Sequence, residues 1–141
     1  MKGENIMSKN KILVKDYNPN QKCKDPKVSG DSMVRAICKV TWLEWEEIYT
    51  RLCERGLKMG MMPNCTNVVE KEFNDFKFKR NIFKTKMRKF VEKHQKGIYI
   101  LISNDYAFVL YDGIIFDADA DSFLKDMKRA KIDSYFIIKE W

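Results

Sequence analysis

The first half of the chain carries apolar residues at the spacing of amphipathic helices. The clearest predicted helix has them at i, i+3, i+4 and i+7, on one helical face: Trp45, Ile48, Tyr49 and Leu52. Thr41 and Glu44 stand at capping-box spacing before this helix, and Gly56 is expected to end it. We therefore predict one strongly amphipathic helix between Thr41 and Gly56.

Three shorter helices are predicted around it. Gly30-Asp31-Ser32 supplies capping chemistry to an earlier helix whose apolar residues are Met33, Val34, Ala36 and Ile37. A later helix is expected around Val68, Val69 and Phe73. Another, capped by Thr85 and ended by Gly97, carries Met87, Phe90 and Val91.

The pattern in the second half of the chain predicts mainly β-strands. The predicted strands are Ile98–Ile102, Tyr106–Tyr111, Ile114–Asp117 and Ser134–Lys139. Asp112-Gly113 links two of them, and such a two-residue link is a strong hairpin signal because both positions need positive φ. A further short strand is expected at Lys11–Val14. The pattern predicts an α+β domain, with helices packed on one face of a C-terminal antiparallel sheet.

Composition favours a single globular domain over all 141 residues. Apolar residues make up 45% of the chain and aromatic residues 13%. No apolar run approaches the roughly 20 residues of a membrane helix, and the N-terminus has no signal-peptide core. We therefore expect a cytoplasmic protein that does not bind membranes, with residues 1–10 flexible.

The cysteines and the single histidine, His94, do not form a metal site of standard spacing. No two cysteines make a C-x-x-C pair, and all four are expected to be reduced thiols: Cys23, Cys38, Cys53 and Cys65. Asp117-x-Asp119-x-Asp121 imitates the start of a calcium loop, but Ser122 and Lys128 stand where the glycine and the glutamate belong. We expect neither a metal nor a cofactor.

The net charge of +7 is concentrated between Lys71 and Lys96. The candidate binding residues in this stretch are Lys77, Lys79, Arg80, Lys84, Lys86, Arg88, Lys89 and Lys93. Phenylalanines are interleaved with them, a composition that can bind single-stranded nucleic acid. The spacing of Phe76, Phe78 and Phe90 also fits a buried face with the lysines outside. The stretch can thus face either phosphates or an acidic protein.

An ordered series of short motifs runs through roughly residues 18 to 120. The motifs are Asn18-Pro19, Gly30-Asp31-Ser32-Met33-Val34-Arg35-Ala36-Ile37, Trp45-Glu46-Glu47-Ile48-Tyr49, Met62-Pro63-Asn64, Lys96-Gly97-Ile98-Tyr99, Asp112-Gly113 and Phe116-Asp117. In this order they resemble a family of small phage-encoded and prophage-encoded proteins with a papain-like, cysteine-peptidase-type fold. The resemblance implies a papain-like arrangement of the α+β domain.

The resemblance also implies three site positions, two of which are changed. The position of the candidate nucleophilic cysteine holds Ser32, and that of the candidate histidine base holds Tyr106, whereas the orienting acid is retained as Asp117. A serine needs an adjacent general base, and a tyrosine of ordinary pKa near 10 is protonated at pH 7. The sequence therefore predicts a pseudo-peptidase without catalytic residues.

The preferred hypothesis is an inactive papain-like protein of a phage or mobile element that binds a host macromolecule in the host cytoplasm. Inhibition of a host defence system, as anti-CRISPR proteins achieve, would be consistent with that origin. One alternative is a nucleic-acid-binding protein that uses the basic face of residues 71–96. The other is a residual hydrolase acting through Ser32, Cys38 or His94. The partner and the oligomeric state stay open.

Overall fold

The computed structural model describes residues 12–19, 30–117 and 131–141. Its elements are β1 (Leu13–Asp16), α1 (Ser32–Thr41), α2 (Trp45–Met59), α3 (Thr66–Glu72), β2 (Lys77–Lys86), α4 (Met87–Lys93), β3 (Ile98–Ser103), β4 (Tyr106–Tyr111), β5 (Ile114–Asp117) and β6 (Lys131–Lys139). This mixture confirms the predicted α+β class. Within the described ranges, no helix has both the length and the apolar character needed to cross a bilayer.

The six strands form one mixed sheet in the order β1-β5-β4-β3-β6-β2. All neighbours are antiparallel except β1 and β5, which pair in parallel, with Val14 opposite Ile115. The prediction of a purely antiparallel C-terminal sheet is therefore wrong at one edge. An N-terminal strand joins that edge, and the direction in which it pairs with β5 is set by contacts distant in sequence.

Helices cover both faces of the sheet. The first three helices enclose one core with residues such as Ile100, Val109 and Phe136. Helix α4 packs on the opposite face, where Phe90 joins a second core that includes Leu101. All six residues of β3 are consequently buried. The expectation that the helices share one face holds for α1 to α3 and fails for α4.

Two tight turns connect β3, β4 and β5. Asp112 and Gly113 have φ values of 50° and 82°, which confirms the positive φ expected at both positions. Asn104 and Asp105 repeat this conformation between β3 and β4, with φ values of 49° and 65°. The Asp112 side chain also accepts a hydrogen bond from the Gly97 N–H at 3.2 Å. This meander places the first residue of β4 beside the last residue of β5.

The boundaries of α2 differ from the sequence prediction. The Thr41 hydroxyl donates to the Ile37 carbonyl at 2.7 Å, so it closes α1 and does not cap α2. Helix α2 also continues past Gly56 and ends at Gly60 in the left-handed conformation. Gly56 has a different role, since a Cβ there would lie 2.6 Å from the Met61 carbonyl oxygen. The lack of a side chain at Gly56 lets the segment after the helix approach the helix backbone closely.

Strand β2 extends to Lys86, so α4 begins later than the sequence predicts. Thr85 belongs to β2 and not to a helix cap, and Lys86 holds the N-cap position without a side-chain hydrogen bond. His94, not Gly97, is the C-cap residue. The long strand carries basic side chains along the sheet edge.

Lys39, in the last turn of α1, is buried among aromatic rings. Its Nζ lies 4.0 Å from the ring centre of Phe116 and 4.6 Å from that of Trp42, with Tyr17 and Tyr111 at 5.2 and 5.7 Å. Burial lowers the pKa of Lys39, and Lys15 lowers it further. Cation–π attraction offsets part of the cost of this burial. The end of α1 is thereby attached to the β1–β5 edge.

Candidate functional site

The N-terminus of α1 lies against the start of β4. Ser32, the first residue of the helix, is buried, and its Oγ accepts a hydrogen bond from the Ala107 N–H at 3.0 Å. Tyr106 directly precedes Ala107 in the chain. The structure therefore brings Ser32 against Ala107, the residue after Tyr106, across 75 residues of sequence.

Tyr106 donates its hydroxyl hydrogen to Asp117. The distance between Tyr106 Oη and Asp117 Oδ1 is 2.5 Å, and Asp117 is buried. The two residues meet because β4 and β5 pair in antiparallel register across the Asp112-Gly113 turn. The Asp117 carbonyl also accepts the N–H of Tyr17, which follows β1, at 2.6 Å. All three site positions inferred from the sequence thus lie in one region.

Arg35, one turn into α1, lies between Tyr106 and Asp31 and contacts both. Its guanidinium forms a buried ion pair with the Asp31 carboxylate and lies 3.5 Å from Tyr106 Oη. The indole N–H of Trp45 donates to the other Asp31 oxygen at 2.8 Å. We call these five residues, Trp45, Asp31, Arg35, Tyr106 and Asp117, the polar network.

Arg35 and Trp45, two members of the polar network, had no predicted role in the site, and Asp31 has a role different from the predicted one. Asp31 was expected to cap α1, but its carboxylate makes no capping bond and binds Arg35 and Trp45. A signal was present, since Asp31 and Arg35 stand four residues apart and can pair along a helix. Their burial could not be inferred from that spacing.

Tyr106 in this position is a hydrogen-bond donor and not a base. Burial raises its pKa well above the usual range, and the hydrogen bond to Asp117 raises it further, while Arg35 opposes both effects only in part. The phenol is therefore protonated at neutral pH. A protonated phenol cannot take the proton of Ser32 in a nucleophilic attack.

The other candidate reactive residues lie apart from Ser32. His94 ends α4 on the opposite face of the sheet, stacked on Phe90 at 3.9 Å between ring centres, and its Nδ1 is 2.8 Å from the Phe90 carbonyl oxygen. Cys38 is fully buried, and burial followed by the nearby Asp31 charge raises the pKa of its thiol to about 12. A protonated, enclosed thiol is a poor nucleophile.

A groove of about 790 Å³ opens beside Ser32 on the face that carries α1 to α3. One wall is formed by the segment that joins α2 to α3, and the other by β2. Its polar lining includes Asn64, Asn67, Asn81, Arg80, Lys84, Asp105, Asp133 and Ser134. The groove is large enough for a small ligand or part of a macromolecule.

The eight predicted binding residues all lie on β2 or α4, and all are exposed. Strand β2 carries Lys77, Lys79, Arg80, Lys84 and Lys86, and α4 carries Arg88, Lys89 and Lys93. We call these eight residues the basic surface. Of the interleaved phenylalanines, Phe76 and Phe90 are buried and Phe78 is half-buried, whereas Phe83 is 86% exposed. The expectation of one buried face is wrong, because Phe76 and Phe78 pack in the first core whereas Phe90 packs in the second core on the opposite face of the sheet.

The tryptophans differ in exposure, and the calcium-like motif is described only in part. Trp42 and Trp141 are exposed, and Trp45 is half-buried. Asp119 and Asp121 of the calcium-like motif lie outside the described residues, as does Cys23. Asp117, the first aspartate of that motif, accepts the Tyr106 hydrogen bond.

Removing the Arg35 side chain should strongly destabilise the protein. Arg35→Ala leaves the buried Asp31 carboxylate without its cation, which is expected to lower the free energy of unfolding by about 3–5 kcal/mol. Denaturant unfolding measures this change. The matched control is Arg51→Ala, because Arg51 pairs with Glu72 in a half-exposed position that Arg55 also contacts. The control should lose about 1 kcal/mol or less. Equal losses in the two variants would contradict the importance of the buried pair.

Tyr106→Phe should change how stability depends on alkaline pH. The folded pKa of Tyr106 is raised, so its contribution to stability is complete below the unfolded value near 10 and declines as the pH rises above it. The variant should be less stable by about 1.5–3 kcal/mol at neutral pH, and the difference should shrink above pH ~10. Unfolding titrations of both proteins test this, with Tyr111→Phe as the control for loss of a hydroxyl on the same strand. A difference independent of pH would contradict the assignment.

Three comparisons with known proteins found no match for this chain. No protein-family model, no curated protein and no solved structure matches the chain. Any conclusion about function therefore rests on the polar network, the groove and the basic surface.

Proposed function

We propose that the chain is a non-catalytic binding protein on a papain-like scaffold, and that it binds an anionic macromolecule through the basic surface. The observation that carries the proposal is the hydrogen bond from Tyr106 to Asp117, at the position where the resemblance implies a histidine base. A protonated phenol there stabilises the fold and does not activate a nucleophile.

The papain-like part of the proposal is supported by the relative positions of three side chains. Ser32 begins a buried helix, Tyr106 begins the strand that contacts it, and Asp117 ends the next strand. The resemblance assigns the nucleophile, base and acid of a cysteine peptidase to these positions. Such a peptidase needs its helix terminus, base and acid adjacent. In this chain Ser32 contacts the residue after Tyr106, and Tyr106 contacts Asp117, which supports the proposal although two of the three side chains differ.

The binding part of the proposal is supported by the distribution of charge. From Lys77 to Lys96 the only acidic residue is Glu92, and the eight residues of the basic surface are exposed on neighbouring elements. Exposed positive charges that are grouped on one surface attract a polyanion over a distance and accelerate its association. The resemblance to phage-encoded proteins makes a host macromolecule the expected partner, with interference in a host defence system as the proposed consequence.

Restoring the two changed residues should create a reactive thiol. In Ser32→Cys/Tyr106→His, the new imidazole would lie beside Asp117 and near a cysteine at a helix N-terminus, which favours the thiolate. Alkylation by iodoacetamide at pH 7, mapped to residue 32 by mass spectrometry, should be faster than in Ser32→Cys alone by roughly tenfold or more. In the unaltered protein, Ser32 should resist fluorophosphonate labelling. Stoichiometric labelling of Ser32 would show a working serine nucleophile and contradict the proposal.

The basic surface should determine binding to a polyanion. Reversing two exposed charges, as in Lys79→Glu/Lys86→Glu, should lower the salt concentration at which the protein elutes from immobilised heparin, because phosphate or sulfate contacts release counterions. Lys15→Glu/Lys58→Glu changes the net charge equally at exposed positions on β1 and α2, and β1 lies at the sheet edge opposite to β2. Identical elution of the two variants would show that net charge alone, and not this surface, governs binding.

A further inference from the structure

We infer that the bulge of β2 at Asn81–Lys84 is a stacking element for single-stranded nucleic acid. This inference rests on the proposed function, since it specifies which anionic macromolecule the basic surface binds. It depends on three observations: the anchoring of the bulge, the exposure of its apolar tip and the absence of acidic residues from β2.

The bulge is anchored at both ends. Strand β2 pairs with β6 from Lys77 to Arg80 and resumes pairing at Thr85, which lies opposite Ile132. The Asn81 side-chain amide donates to the Ile132 carbonyl at 2.8 Å, and Lys84 Nζ lies 3.2 Å from Asp133 Oδ1. The interruption is therefore held in place by contacts of its own and is not a frayed strand end.

The tip of the bulge exposes two adjacent large apolar side chains. Ile82 is 91% exposed and Phe83 is 86% exposed. Arg80 and Lys84 flank them, and the ten residues of β2 include five cations and no acid. An aromatic ring between cations is the combination that binds a nucleotide through its base and its phosphate at once.

A single strand satisfies both parts of this surface. Its base faces are apolar and accessible, and its phosphates repeat along the chain, whereas a duplex hides the base faces inside the stack. A second copy of this protein that paired β2 with β2 would place lysines against lysines, which is unfavourable. A protein partner would need an apolar pocket that is also strongly acidic at its rim.

The neighbouring groove supplies room and polar groups for a base. Ile82, Arg80 and Asn81 line the groove, so the bulge forms part of its wall. Asn64 and Asn67 on the opposite wall offer amides that can donate and accept hydrogen bonds. Asp105 and Asp133 add negative charge to the groove, which favours a base there and the phosphates outside it, along the lysines of β2.

The test compares three fluorescent ligands by anisotropy: an oligothymidylate of about 15 nucleotides, a duplex of similar length, and heparin. The oligothymidylate should bind more tightly than the duplex, and its affinity should fall steeply between about 50 and 200 mM salt. Phe83→Ala should weaken oligothymidylate binding by roughly tenfold or more and leave heparin binding unchanged. Phe83→Trp should retain binding. Leu57→Ala, which truncates an equally exposed apolar side chain on α2, is the matched control and should have no effect.

Each alternative result has a defined meaning. If Phe83→Ala leaves oligothymidylate binding unchanged, or if the duplex binds equally well, the stacking inference is wrong and the proposed polyanion binding stands. If heparin binds and the oligothymidylate does not, the nucleic-acid inference is wrong and an acidic protein becomes the expected partner. If neither ligand binds at low salt, both the inference and the binding part of the proposed function fail.

Discussion

The buried ion pair between Asp31 and Arg35 is the interaction on which the arrangement around Ser32 depends. Two charges removed from water are stable only when their remaining hydrogen-bonding groups are also satisfied. Trp45 supplies a donor to Asp31 from α2, and Tyr106 meets Arg35 from β4. The pair therefore connects α1 to a second helix and to the sheet. Loss of any one partner would leave a charge or a polar atom in an apolar region.

Ser32 and Tyr106 also fit this structural role. A histidine that must exchange protons is best kept near neutral pKa, whereas a phenol of raised pKa holds its proton and stabilises a neighbouring carboxylate. Ser32, in turn, accepts a backbone N–H that a buried strand would otherwise leave without a partner. Both side chains therefore satisfy hydrogen bonds within the fold.

Local features of the fold could be predicted from sequence, and features that depend on distant contacts could not. The Asp112-Gly113 turn and the strands beside it follow from residues within one hairpin. The parallel pairing of β1, the placement of α4 on the second face and the bulge of β2 each depend on where a remote segment packs. The three candidate positions came from a resemblance, whereas the contacts of Arg35 and Trp45 with Asp31 required the folded chain. The exposure of Phe83 had no sequence signal, because Phe83 stands next to a lysine just as the half-buried Phe78 does.

Lys39 and Asp31 secure the two ends of α1 by different means. The N-terminal end is tied by hydrogen bonds from Trp45 of α2 to Asp31 and from the Ala107 N–H of β4 to Ser32. The C-terminal end is tied by the Lys39 ammonium group, which is enclosed in rings from β4, β5, the segment after β1 and the loop after α1. A helix secured at both ends cannot slide along its axis or tilt without breaking one attachment. Any change of shape that accompanies ligand binding must therefore come from the opposite walls of the groove. Helix α1 would act as the stationary reference against which those walls open and close.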